Sequence, residues 1–402
     1  MTSADGYIIK YLMGEESFLE HSLAKKYEYI SNPDGTIRWI YPKDLKKPSF
    51  LNFYNTSTIR AKLLSTLIKI AFFMKQAHLV KKGEFKRNIV ENSRLDEILK
   101  EYPNANFSIF TGTVGENRKI VLELNNEKGT FIFFKIALFE SSKNLIINEA
   151  TCLKYLNSFN LKSLKIPKLL SYNNQDTIGL SNIKPKIFQQ NPNLTNVHIK
   201  ALLELYLISN QRKKWSHLDS LKDSKERLNN LLKGYKQVNS LNQKRIENLS
   251  NKVLLLIDII EDENDEVILA ISHGDFTPWN SYISKNILYL FDWELSHKET
   301  PLMFDVFHFI FQSEIMIKHS SYKIINHKIE NVLKYKDSKN ILNTFKVNIN
   351  KNYIFYLIYN ISYYLNKYTK QKELHQQVFW LIDIWEDAVD DVINQKGVIF
   401  EK

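Results

Sequence analysis

The stretch "ISHGDFTPWNSYI", Ile271–Ile283, gathers His273, Asp275 and Asn280 around a Pro–Trp pair. The chain holds only 9 prolines and 6 tryptophans, so the pair is not filler. Pro278 fixes its own φ and pushes Thr277 toward extended backbone, which predicts a shaped loop rather than a helix here. Trp279 is expected to anchor that loop in the core. Asp275 and Asn280, five residues apart with Pro278 between them, are then held in a fixed relation.

The chain continues "SYISKNILYLFDWE". Ser-Lys-Asn predicts a hairpin turn, and the strand Ile287–Phe291 ends at Asp292. Asn280 enters the hairpin and Asp292 leaves it, so both sit near its open end. An amide oxygen and a carboxylate oxygen placed there suit a hard divalent cation such as Mg²⁺.

Two further residues stand out as charges in apolar surroundings. In "TFIFFKIALF" both faces of the predicted strand are apolar, and Lys135 is its single charge. A buried ammonium without a partner costs several kcal/mol. In the following helix, Leu145, Cys152, Leu153 and Leu156 define an apolar face, and Glu149 falls on it. One Lys and one Glu, each wrong for a core, make most sense as a pair.

Positioning these groups needs a particular order of elements. "FSIFTGT", "KIVLEL" and "TFIFFKIALF" predict a three-stranded antiparallel meander over Phe107–Phe139, turned at "VGEN" and "NNEKG". A helix over Ser142–Phe159 follows, and "KIPKLLSYNNQDTIGLSNI" predicts two more strands. From about Leu194 the pattern is mostly helical, apart from an island at 270–292. Sheet first and helices second is an α+β order. Residues 1–104 read as a separate N-terminal accessory region, with a helix expected over Thr58–Val80 whose Lys62, Lys69 and Gln76 mark a narrow polar stripe. That helix is read as packed in a core, with a peripheral membrane contact as the less favoured alternative.

Composition sets the class. The chain has 402 residues, 44% hydrophobic and 13% aromatic, enough for two or three domains and far from disorder. A single cysteine, Cys152, rules out an internal disulfide framework and fits a reducing compartment. No apolar stretch reaches the length of a membrane span, and the first residues carry no signal-peptide pattern. A cytoplasmic location is expected. The net charge of +11 comes from dispersed lysines and predicts no nucleic-acid partner. The acidic run "EDENDE", Glu261–Glu266, is read as a solvated loop.

"HGDFTPWN" followed by "FDWE" resembles the aminoglycoside phosphotransferase and choline kinase family, relatives of the protein kinases. The resemblance covers about residues 105–320 well and the remaining helices loosely. It implies a bilobal protein-kinase-like fold, with an N-lobe over 105–190 and a helical C-lobe over 191–402. It implies an ATP-dependent kinase in which Asp275 orients or deprotonates the attacking hydroxyl. Asn280 and Asp292 would hold Mg²⁺, Lys135 would contact the α/β-phosphates, and Glu149 would hold Lys135. His273 would brace the catalytic loop, and Asp305 in "TPLMFDVFHF" would support it. The first hairpin, "TGTVGENRK", departs from the protein-kinase glycine loop: only Gly112 and Gly115 are present as nucleotide contacts. The expected acceptor is a small hydroxyl-bearing molecule, a sugar or glycan precursor ahead of choline, ethanolamine or an aminoglycoside. A nucleotide-binding pseudokinase is the rival, against which the presence of all five key residues counts.

Overall fold

The computed structural model describes all residues except 1–2, 16–23, 54–58, 75, 77–79, 81–82, 174, 235–239, 262–264, 370–375 and 401–402. It divides into two compact units. The first holds residues 1–160 and 166–184, the second 161–165 and 185–402. The divisions expected from sequence fall at 104 and 190.

The first unit is built on an eight-stranded, wholly antiparallel sheet. In chain order its strands are β1 (Lys25–Ser31), β2 (Ile37–Pro42), β3 (Gly83–Arg87), β4 (Asn106–Phe110), β5 (Lys119–Asn126) and β6 (Gly129–Ala137). The two-residue β7 (Leu164–Lys165) belongs to the second unit, and β8 (Leu169–Asn173) and β9 (Thr177–Ser181) complete the first. The spatial order is β3-β1-β2-β4-β5-β6-β9-β8. The meander β4-β5-β6 and the pair β8-β9 are the strands expected from sequence. The three strands from residues 25–87 extend the same sheet, joined to it where β2 pairs with β4 through Trp39–Phe110 and Ile40–Ile109.

Helices α1 (Ser3–Met13) and α3 (Arg94–Glu101) share one apolar core with the sheet, around Ile8, Ile40, Leu95, Ile109, Leu122 and Phe134. Ser93 starts α3 by accepting the Asp96 N–H. A smaller cluster, Trp39, Tyr41, Phe50, Ile68 and Phe72, holds α2 (Ile59–Phe73). This helix is shorter than the expected Thr58–Val80. Beyond it only parts of 74–80 are described, and 77–79 lie outside the described residues. The core reading holds for one face of α2 only; the opposite face is exposed.

The second unit is mostly helical. It contains α5 (Asn196–Ser209), α6 (Asp219–Gly234), α7 (Ser240–Ile260), α8 (Phe304–Ser313), α9 (Tyr322–Leu333), α10 (Lys336–Phe345), α11 (Ile349–Tyr368) and α12 (Gln376–Asn394), while α4 (Glu140–Leu156) lies in the first unit. Among these, α11 runs through the core with Tyr353, Tyr356, Leu357 and Ile361 buried. Two small sheets interrupt the helices, one of β10 (Gln211–Lys214), β11 (Glu266–Ser272) and β14 (His297–Pro301), the other of β12 (Ser281–Ser284), β13 (Ile287–Leu290) and β7. From the acidic run, residues 262–264 lie outside the described residues. No helix among the described residues is long and apolar enough to cross a membrane. The chain is thus α+β, an antiparallel sheet unit followed by a helical one.

Candidate active site

In the first unit, β6 turns Ile132, Phe134 and Ile136 into the core. Its other face, carrying Phe133 and Lys135, is half-buried, so the strand is sealed on one side rather than on both. Helix α4 begins where Ser142 Oγ accepts the Leu138 and Phe139 N–H groups. It buries Ile146, Glu149, Leu153 and Leu156. Lys135 Nζ lies 2.6 Å from Glu149 Oε2, and the Glu149 side chain is fully buried. Each lone charge has found the other, which removes the cost of burying either alone.

The loop between β4 and β5 is closed by Arg118 Nε donating to the Thr111 carbonyl at 2.8 Å. Gly112 sits at φ +80°, where a Cβ would lie 2.1 Å from the Lys119 carbonyl oxygen. Only glycine fits there. Gly115 is exposed at the loop's tip, and Ser141 Oγ donates to the neighbouring Glu116 carbonyl at 2.5 Å.

In the second unit, β11 delivers the chain to His273. The His273 side chain is fully buried and packs against Trp293, with ring centroids 4.7 Å apart. Its Nδ1 accepts the Asp275 N–H at 3.3 Å, which makes Nε2 the donor to the Phe291 carbonyl at 2.9 Å. The ring thus ties the loop to the end of β13. Asp305, in the first turn of α8, accepts the His273 N–H at 2.8 Å and the Gly274 N–H at 3.1 Å. Burial raises the Asp305 pKa above the ordinary carboxylate value, against the opposing pull of the nearby His273 and those two N–H groups. Gly274, at φ +79°, passes so close to Leu295 that a Cβ would fall 1.9 Å from its carbonyl oxygen.

These contacts present Asp275, whose side chain is 27% exposed. Its Oδ2 accepts from Asn280 Nδ2 at 2.8 Å, and its Oδ1 lies 3.3 Å from His308 Nε2. Asn280 Nδ2 also donates to the Asp275 carbonyl at 3.1 Å, which turns the amide oxygen away from the carboxylate. Pro278–Asn280 forms a single 3₁₀ turn. Trp279, expected as the loop's core anchor, is only half-buried; the fully buried anchors are Phe276 and Trp293.

The hairpin turns at Lys285–Asn286, both at positive φ, with Ser284 paired to Ile287. That is the two-residue turn whose twist matches its strands. Its open end is closed by the Phe291 N–H donating to the Asn280 carbonyl at 3.1 Å. Asp292 follows at φ +70°, ψ +59°, left-handed backbone that a non-glycine residue adopts at a cost.

Sequence reading missed His308. It lies three residues after Asp305 on the apolar α8, and within "FDVFHF" it reads as a core residue. The available signal was that a His one turn from a supporting Asp shares its face. Beside the loop, a cavity is lined by Gly274, His308, Phe304, Tyr359, Tyr363 and Tyr364, among others.

No family model and no curated protein matches the sequence. Among solved structures, the chain is similar to choline kinase LicA from Streptococcus pneumoniae, at 15% identity and a TM-score of 0.48, covering 75% of this chain and 98% of that one. It is similar to amicoumacin kinase hAmiN in complex with AMP-PNP, Ca²⁺ and Ami, at 12% identity and a TM-score of 0.45 over 73% of this chain and 92% of that one. The gentamicin–APH(2")-IIa complex matches at 15% identity and a TM-score of 0.43, over 74% of this chain and 98% of that one.

Proposed function

We propose that this chain is a cytoplasmic ATP-dependent phosphotransferase that passes the γ-phosphate to a hydroxyl of a small molecule. The observation that carries the reading is Asp275: its carboxylate is held at both oxygens, by Asn280 and His308, yet stays open to solvent. A carboxylate so fixed can align an acceptor hydroxyl and take its proton. His273 and Asp305 brace the loop that carries it. Lys135, held by Glu149, is proposed to bind the α/β-phosphates, with Gly112 and Gly115 shaping the loop over them. Residues 1–104 are proposed as an accessory to a kinase-like lobe over 105–190, with 191–402 as the helical lobe.

The donor set at the hairpin fits Mg²⁺. The Asn280 amide nitrogen is occupied by Asp275, which leaves its oxygen for a cation, and Asp292 adds a carboxylate. Mg²⁺ bound by Asn280 and Asp292 would neutralise charge on the phosphates.

A sugar or glycan precursor is the first acceptor proposed. The second reading is an amino alcohol such as choline or ethanolamine, or an aminoglycoside, the other acceptors of the family that the motifs resemble. Incubating the chain with ATP and Mg²⁺ against panels of sugars and amino alcohols, and following ADP release and product mass, tests the proposal. Turnover with one class is expected, and Asp275→Asn should lower it by about 10²–10⁴-fold while nucleotide still binds. Nucleotide binding without turnover on any acceptor would favour a pseudokinase.

A further inference from the structure

Helix α2 has two apolar faces. Ser65, Ile68 and Phe72 face inward, with Ile68 and Phe72 packed in the cluster of Trp39, Tyr41 and Phe50. On the other side Leu63, Leu67, Ile70 and Met74 recur at helical spacing and form an exposed stripe, flanked by Leu64 and Phe73. Leu63 and Leu67 are each 61% exposed and Phe73 is 88% exposed. Single exposed apolar residues need no explanation, but five on one helix, with Met74 just past its end, do. The exposed lysines Lys62 and Lys69 lie seven residues apart, along the edge of the stripe.

Charge indicates what covers this face. Helix α2 itself carries three basic residues, Arg60, Lys62 and Lys69, and no acid. A helix about 22 Å long, apolar along its exposed face and cationic at its edge, matches the plane of a lipid headgroup layer.

We infer that α2 docks the chain on an anionic membrane surface. Leu63, Leu67, Ile70, Phe73 and Met74 enter the acyl boundary, and Lys62 and Lys69 meet lipid phosphates. The inference is independent of the phosphotransfer reading.

Flotation of the full chain with vesicles tests it. Vesicles of phosphatidylglycerol mixed with phosphatidylcholine should carry the wild-type chain up the gradient, and phosphatidylcholine alone should carry about tenfold less. Leu67→Asp/Phe73→Asp changes only exposed positions, so it should melt like the parent and lose flotation by about tenfold or more. Lys62→Glu/Lys69→Glu should lose the preference for anionic vesicles. Wild-type chain left in the soluble fraction, or equal flotation of the Leu67→Asp/Phe73→Asp variant, overturns the inference. So does a wild-type dimer in light scattering that this variant converts to monomer, because a second copy would then cover the stripe.

Discussion

His308 Nε2 stands 3.3 Å from Asp275 Oδ1, while His308 Nδ1 is buried with no hydrogen-bond partner among the described residues. The ring therefore serves Asp275 and nothing else that hydrogen-bonds. His308→Phe keeps an aromatic ring among Phe304 and Tyr356 and removes the polar atom that has no partner. We expect its melting temperature to hold or rise while kcat falls by up to about 10²-fold, the cost of a misaligned reacting group. The KM for nucleotide should barely change. A parallel loss of stability and rate would reduce His308 to a packing residue.

The ion pair of Lys135 and Glu149 predicts a coupled stability effect. Lys135→Met takes the ammonium away from a fully buried carboxylate, and Glu149→Leu takes the carboxylate away from an ammonium that is only 13% exposed. Each single change should cost about 3–5 kcal/mol, whereas Lys135→Met/Glu149→Leu should recover much of it. Thermal melts of the four proteins without nucleotide give the coupling. Transfer should be lost in all three variants. Purely additive destabilisation would show that the two side chains do not depend on each other.

Asp292→Ala is expected to weaken Mg²⁺–nucleotide binding more than binding of nucleotide without metal. Asp292 follows Phe291, whose N–H donates to the Asn280 carbonyl. Calorimetric titrations with and without Mg²⁺ separate the two effects, and equal losses would remove the metal role.

Acid sensitivity should trace in part to His198. Its ring is buried in α5, where Nδ1 accepts the Thr195 N–H at 3.1 Å, and burial pushes its pKa down to about 3. Unfolded, the same ring titrates near 6.5, so between these values the unfolded chain binds the extra proton. Stability is therefore full above about pH 6.5 and falls as pH drops toward 3, by about 1.4 kcal/mol per pH unit from this group. His198→Gln should flatten that slope in denaturant melts taken across the window. An unchanged slope would place the acid sensitivity elsewhere.

Much of the site was legible because its residues break local rules. Lys135 and Glu149 are charges on apolar faces, and Asp275, Asn280 and Asp292 are fixed by a proline, a five-residue step and a hairpin. What local pattern could not carry was pairing at a distance. Nothing in the periodicity of residues 25–42 says that β2 meets β4, since the match of Trp39 to Phe110 spans α2, β3 and α3. His308 escaped for the opposite reason: its neighbours are so apolar that its type looked incidental. The burial of Trp279 was misjudged because a proline fixes backbone angles without saying which side of the turn faces the core.

The joining of β2 to β4 also limits how the gene can be shortened. A chain begun at residue 105, where the recognisable motifs start, would lay β4 bare as an outer strand, with unpaired peptide groups beside Phe107 and Ile109. Such an edge is a template for self-association. It would also lose Tyr11, whose hydroxyl donates to the Ala137 carbonyl at 3.0 Å, two residues past Lys135. The motif-bearing segment is therefore not an independent inheritance unit: truncation, recombination or domain grafting has to carry the first hundred residues along, or supply another strand in their place.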